Sequence, residues 1–60
     1  MKPEYKIVTN ADGIQRVYYT HEFYSAMCLF NMIIRQLPYA EVWEGNRLIQ
    51  TYDSLGQLLD

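Results

Sequence analysis

The sequence has one cysteine, Cys28, and one histidine, His21, among its 60 residues. A single cysteine excludes an intramolecular disulfide, and these two side chains are too few for a structural zinc site. The three glycines, at 13, 45 and 56, are isolated, so the chain has no glycine-rich phosphate loop. A chain this short buries only about 60% of its unfolded surface. Association with another chain is therefore the stabilising device that remains open to it.

Cations are also scarce, since five lysines and arginines stand against seven aspartates and glutamates, a net charge of −2. This balance predicts no general attraction to nucleic acid or to anionic membranes. The longest uncharged run, 23–34, is too short to cross a bilayer, and we expect no signal peptide at the start of the chain. An unpaired thiol favours a reducing cytoplasm. Half of the residues are hydrophobic and 15% are aromatic, which is typical of a folded globular chain.

Two segments rich in β-branched and aromatic residues, 5–10 and 14–19, predict a first hairpin. The tetrad between them, Asn-Ala-Asp-Gly at 10–13, suits a type I turn closed by a bulge. That turn pairs Asn10 with Ile14. The predicted core face then carries Tyr5, Ile7, Val17 and Tyr19, and the predicted outward face carries Lys6, Val8, Arg16 and Tyr18.

Residues 20–37 predict the one helix, with Thr20 as its N-cap and Pro38 as its terminator. Apolar residues at helical spacing predict its core side: Phe23, Ala26, Met27, Phe30, Ile33, Ile34 and Leu37. The opposite side, which we name the helix back, carries Tyr24, Cys28, Met32 and Arg35. A surface helix normally has a charged back, whereas this one has a single charge. We therefore expect a protein partner or a second copy of the chain to pack there.

A second hairpin is predicted from 39–44 and 47–52, joined by Gly45 and Asn46. A two-residue turn pairs Glu44 with Arg47, then Trp43 with Leu48 and Val42 with Ile49. The face predicted to lie under the helix carries Ala40, Val42, Ile49 and Thr51. The opposite face carries Tyr39, Glu41, Trp43, Leu48, Gln50 and Tyr52, an aromatic cluster that is large for a free surface.

These elements predict a single α+β domain over 1–60 in the order β-β-α-β-β. Its four strands form one mainly antiparallel sheet, with the helix packed on one face. Residues 53–60 are expected to form a short C-terminal helix, because Ser54 and Gln57 make a weak capping box.

No set of residues predicts a reaction. His21 and Cys28 lie about 10 Å apart along the predicted helix, too far for a base and its nucleophile. Imidazole, thiol and thioether are metal ligands, but His21, Cys28 and Met32 are spread over several turns. Glu41 beside Trp43 could have a raised pKa, yet the register places no second carboxylate next to it. We therefore expect no enzyme, no metal and no cofactor.

The sequence instead predicts a non-enzymatic interaction protein that forms a homodimer or binds a larger partner. The helix back is its first candidate surface. The second is a sheet face with the predicted members Arg16, Tyr18, Tyr39, Trp43, Leu48 and Tyr52, residue types that interfaces favour. In size and acidity the chain resembles accessory or inhibitor proteins of bacteria and their phages, which cover a target's site. Two alternatives use the same aromatics: a small-ligand or nucleotide pocket between subunits, and a single-stranded nucleic-acid surface.

Overall fold

The computed structural model describes residues 3–54 and 57–59. Its elements are β1 (Tyr5–Ala11), β2 (Ile14–Thr20), α1 (Phe23–Ile34), β3 (Tyr39–Glu44), β4 (Arg47–Asp53) and β5 (Gln57–Leu59). The strands form one antiparallel sheet in the order β2-β1-β3-β4-β5, and α1 packs on one face against β1, β2 and β3. The predicted α+β fold, with four antiparallel strands and one helix on the sheet, is confirmed.

The C-terminal segment differs from the prediction. Residues 57–59 form β5, which pairs antiparallel with β4, so a helix over 53–60 is wrong for this part of the chain. Asp53 belongs to β4 and pairs with Tyr39. The β4 edge offers unpaired backbone groups, and a following segment satisfies them more fully than one isolated helical turn would. Residues 55, 56 and 60 lie outside the described residues.

The register of the first hairpin also differs from the prediction. Asp12 and Gly13 have positive φ angles of 55° and 77°, the pattern of a two-residue type I′ turn. Ala11 therefore pairs with Ile14, one residue away from the predicted pairing. A one-residue slip turns every side chain of a strand to the other face. Tyr18 consequently lies beside Ile7 on the helix side of the sheet, opposite to the predicted arrangement.

The second hairpin starts as predicted and then slips. Glu44 pairs with Arg47 and Trp43 with Leu48, as predicted around the two-residue turn. An irregularity between Val42 and Trp43 then leaves Val42 opposite Gln50, not Ile49. Beyond it, the predicted faces of β4 are exchanged: Tyr52 pairs with Ala40 and packs against the core, and Thr51 pairs with Glu41 on the other face.

Helix α1 is three residues shorter at each end than predicted, running from Phe23 to Ile34. Thr20 is the last residue of β2, paired with Tyr5, so it cannot be the N-cap. Glu22 is the N-cap and makes no side-chain capping bond. At the other end the backbone N–H groups of Gln36 and Leu37 both bond to the Ile33 carbonyl, which closes the helix before Pro38.

The core lies between α1 and the sheet. It is formed by buried side chains from the helix and from strands β1 and β3: Tyr5, Ile7, Ala26, Phe30, Ala40 and Val42. Met27, Ile33 and Ile34 pack against this cluster, as predicted. Phe23, the first residue of the helix, is predicted to be buried but is 52% exposed. Its ring forms an edge-to-face pair with that of Tyr5, with 5.7 Å between the centroids.

Candidate interaction surfaces

The helix back is exposed. Tyr24 is 79% and Met32 58% exposed, and Cys28 and Arg35 are also exposed. These four side chains project from the side of α1 that faces away from the sheet, and no described element of the chain covers them. Cys28 is a free thiol. The structure thus brings this predicted set together as one surface, with two large apolar side chains in contact with solvent.

The second predicted set is divided between the two sides of the sheet. Tyr39, Trp43 and Leu48 lie on the face away from α1, which we name the open face. Arg16 and Tyr18 lie on the helix side because their register partners are Thr9 and Ile7. Tyr52 packs against the core. This division follows from the two register differences described above, since shifting a strand by one residue moves its side chains to the opposite face of the sheet.

On the open face, the Glu41 carboxylate lies between two aromatic donors. The Tyr39 hydroxyl donates to Oε2, and the Trp43 indole Nε1–H donates to Oε1 at 2.7 Å. Alternate residues of one strand point to the same side, which places Tyr39, Glu41 and Trp43 together. The Lys6 ammonium lies over the Trp43 ring, 5.1 Å from its centroid. Both oxygens of Glu41 are therefore occupied, so this carboxylate is a structural acceptor.

The alternation of side chains along β3 predicts that Tyr39, Glu41 and Trp43 are neighbours, but it does not predict the hydrogen bonds between them. Because Tyr39, Glu41 and Trp43 occupy every second position, a carboxylate flanked by two aromatic donors can be read from the sequence. The Lys6 contact could not be found in that way. It depends on the pairing of β1 with β3, which joins segments far apart in the chain.

The Glu41 bond changes the acidity of Tyr39. Hydrogen bonding to the Glu41 carboxylate, followed by burial and by the negative charges of Glu41 and Asp53, raises the pKa of Tyr39 from 10.0 to about 12. The fold therefore favours the neutral phenol. Its contribution to stability is fully present below pH 10 and is lost as the pH rises from 10 towards about 12.

Absorbance titration at alkaline pH checks this shift. The difference between wild type and Tyr39→Phe isolates one phenol, whose ionisation step is expected near pH 12. In Glu41→Gln the step should move towards 10, because the negative acceptor has gone. A step near 10 in a wild-type protein that circular dichroism shows to be folded would contradict the Glu41 contact.

Two shallow grooves flank the β1–β2 hairpin. The one on the open face has a volume of about 540 Å³ and is lined by Val8, Tyr39, Glu41 and residues around the turn. Among the described residues that line it there is no lysine or arginine, so it is poorly suited to a phosphate. The second, about 360 Å³, lies on the helix side and contains Arg16 and Tyr18.

Within residues 3–54 and 57–59, no group of three or more His, Cys, Asp or Glu side chains is placed to hold a metal ion. No helix in the same part of the chain is long and apolar enough to span a membrane. Comparison with protein-family models, curated proteins and solved structures finds no match to this chain. Its function is therefore inferred from its own surfaces.

Proposed function

We propose that this chain is a small, non-enzymatic interaction module that self-associates and acts by binding, and so blocking, a larger partner protein. The observation that carries the proposal is the exposed helix back, with Tyr24 79% and Met32 58% exposed. Tyrosine, methionine and arginine are enriched where proteins meet, and methionine adapts readily to a partner's shape. A reducing cytoplasm, where Cys28 stays a thiol, is the compartment that fits this module.

The open face supports the same proposal as a second surface. Tyr19 is 63% and Leu48 46% exposed there, beside the half-buried ring of Trp43. The Glu41 bonds hold the Tyr39 and Trp43 rings in fixed positions, so less side-chain entropy is lost when a partner covers them. The helix and the sheet thus each offer a partly aromatic surface, and that of the sheet is held in place by the Glu41 bonds.

Affinity capture from the native host tests the helix back. Met32→Glu places a charge at the centre of the surface and is expected to lower partner recovery at least about tenfold, since a desolvated unpaired charge is costly. Asn46→Glu adds the same charge in the exposed β3–β4 turn and should leave recovery unchanged. Circular dichroism checks that both variants are folded.

The outcomes separate the two surfaces. If Met32→Glu retains the partner and Leu48→Glu loses it, the open face is the binding surface. If both variants bind as wild type does, neither surface binds the partner and the proposal fails. An activity assay of the captured protein then tests inhibition, which should reach completion at a stoichiometric amount of the module.

A nucleotide or similar small anion is the second candidate ligand. It is favoured by the helix-side groove, where Arg16 could meet a phosphate and the Tyr18 ring could stack on a base. A thermal-shift screen against nucleotides tests this, because a ligand at 100 times its dissociation constant adds about 2.7 kcal/mol to the free energy of unfolding.

Single-stranded nucleic acid is less favoured. Lys6 is engaged by Trp43 and Arg47 by Glu44 at 2.6 Å, which leaves few described cations for a phosphate backbone.

A further inference from the structure

Strand β2 forms one edge of the sheet. It pairs with β1 on one side, and within the described residues no strand lies on its other side. All seven pairs of the β1–β2 ladder are regular, so no bulge blunts the edge. Six of its seven residues are exposed, Arg16 is its one charge, and it contains no proline. Long, regular, apolar edges of this kind are templates for pairing with another strand.

Along each strand, successive residues direct their backbone N–H and C=O groups alternately to one neighbouring strand and to the other. This alternation fixes which backbone groups of β2 are available at the edge. The Gly45 N–H bonds to the Glu4 carbonyl at 2.9 Å, so residues 4 and 45 form a hydrogen-bonded pair at the start of the β1–β3 ladder. Bonded pairs alternate along an antiparallel ladder, so Lys6 and Val8 direct their backbone groups to β3. Tyr5, Ile7 and Thr9 then direct theirs to β2.

The partners of those three residues on β2 are Thr20, Tyr18 and Arg16, which use their N–H and C=O groups on β1. The remaining residues, Gln15, Val17 and Tyr19, therefore point their N–H and C=O groups out of the sheet. The tight turn leads to the same assignment, because a two-residue hairpin closes on a hydrogen-bonded pair, here Ala11 and Ile14.

We propose that β2 pairs antiparallel with β2 of a second copy, with the two-fold axis passing beside Val17. This residue is the middle of the strand and the middle of the three outward-pointing residues. Centring there sets Val17 opposite Val17 and Gln15 opposite Tyr19 of the second copy, so every outward N–H meets an outward C=O. A pairing centred on Arg16 or Tyr18 leaves some of these groups without a partner.

The side chains favour the same centre. Arg16 lies opposite Tyr18 of the second copy on the helix side, where a guanidinium can stack on the phenol ring. No like charges face each other, whereas a pairing centred on Arg16 would set two arginines side by side, which is destabilising. The strand is thus complementary to itself in hydrogen bonds and in charge, as an isologous interface requires.

This inference rests on the self-association in the proposed function and assigns it to the sheet edge, not to the helix back. The two sheets become one continuous sheet, with both α1 helices on the same side. Tyr24, Met32 and the open-face residues around Trp43 remain free to bind a larger partner. The dimer would therefore present two copies of each partner-binding surface.

Cysteine cross-linking tests the register directly, in a Cys28→Ser background. Directly opposite Cα atoms in a hydrogen-bonded pair lie about 5.5 Å apart, within the range of a disulfide. Gln15 is on the same face but lies about 14 Å along the strand from Gln15 of the second copy. Val17→Cys is expected to oxidise to a covalent dimer at least about tenfold faster than Gln15→Cys on non-reducing gels.

A charge exchange at the same position gives a second test. Val17→Lys and Val17→Glu should each be monomers by light scattering, because like charges directly opposite repel. Mixed in equal amounts, they should form a heterodimer, which native mass spectrometry detects. The rescue requires the two copies of residue 17 to lie close together, as the Val17-centred register places them.

Three results would overturn the inference. Equal oxidation rates for the Gln15 and Val17 cysteines would mean random collision. A wild-type dimer that Met32→Glu dissociates, and that Val17→Lys does not, would place the contact on the helix back and leave the proposed function standing. A wild-type monomer throughout the micromolar range would remove self-association altogether, while capture of a larger partner would still be decided by its own experiment.

Discussion

Phe30→Ala is expected to unfold the protein at room temperature. The ring is 1% exposed and is the largest of the fully buried side chains. Removing a buried phenylalanine costs about 3–5 kcal/mol, through lost transfer energy and the cavity left behind. A single core in a domain this small rarely supplies more than about 3–5 kcal/mol of net stability. Urea denaturation followed by fluorescence of Trp43, the only tryptophan, measures the loss.

Tyr24→Ala is the matched control for this prediction. It removes an aromatic ring from the same helix, but one that is 79% exposed, so the free energy of unfolding should stay within about 0.5 kcal/mol of wild type. If Phe30→Ala kept a wild-type urea midpoint, the core would not be centred on the contact between α1 and strands β1 and β3.

Ala26→Leu is expected to destabilise the protein by about 1–3 kcal/mol, because extra methylene groups in a well-packed core force side chains and backbone to shift. Ala26 on α1 and Ala40 on β3 are both 0% exposed and belong to the same core cluster. Small side chains at these positions allow helix and sheet to approach closely. Thermal and urea denaturation measure the change.

Ser25→Leu is the neighbouring control. Ser25 is exposed, so the same leucine side chain extends into solvent and should change the free energy of unfolding by no more than about 0.5 kcal/mol. Equal stability of the two leucine variants would mean that the core has room beside Ala26. The close approach of α1 to β3 would then be wrong.

The β2 edge and the helix back have different roles: the first is proposed to bind a second copy of the chain and the second a larger protein. Backbone groups along β2 specify a second copy, since hydrogen bonds at a sheet edge require another strand. Side chains of the helix back specify a shape, and a larger protein can match it without contributing a strand. A chain with few stabilising devices of its own gains stability from the first contact and can carry out its function through the second.

The turn and helix-terminating residues made the order of the elements from β1 to β4 predictable. Gly13 and Gly45 mark the two hairpin turns, and Pro38 separates the helix from β3. Apolar residues recur at every second position in the strand segments and at every third or fourth position in the helical segment. The core residues Ala26 and Phe30 followed from that spacing. The helix back was predictable for the same reason, because the side opposite a core stripe is fixed once the stripe is known.

The sheet faces were not predictable to the same degree. Aspartate can adopt either sign of φ, and whether the φ of Asp12 is positive decides between a two-residue and a three-residue hairpin loop. That choice reverses the faces of Arg16 and Tyr18. The irregularity beside Val42 has a similar effect on Tyr52, and no residue type in that part of β3 or β4 marks it.

The amino-acid sequence by itself determined the kinds and order of the elements from β1 to β4, the core stripe of α1 and the apolar helix back, because these depend on neighbours within a few residues. The tertiary structure alone decided the strand order, the addition of β5, the register of the first hairpin and that of the second beyond Trp43. These in turn decided which side chains share the open face and which backbone groups of β2 point outwards. Those features depend on pairing between distant segments. Alternative registers there satisfy almost the same local preferences, and only the packing of the whole sheet under α1 distinguishes them.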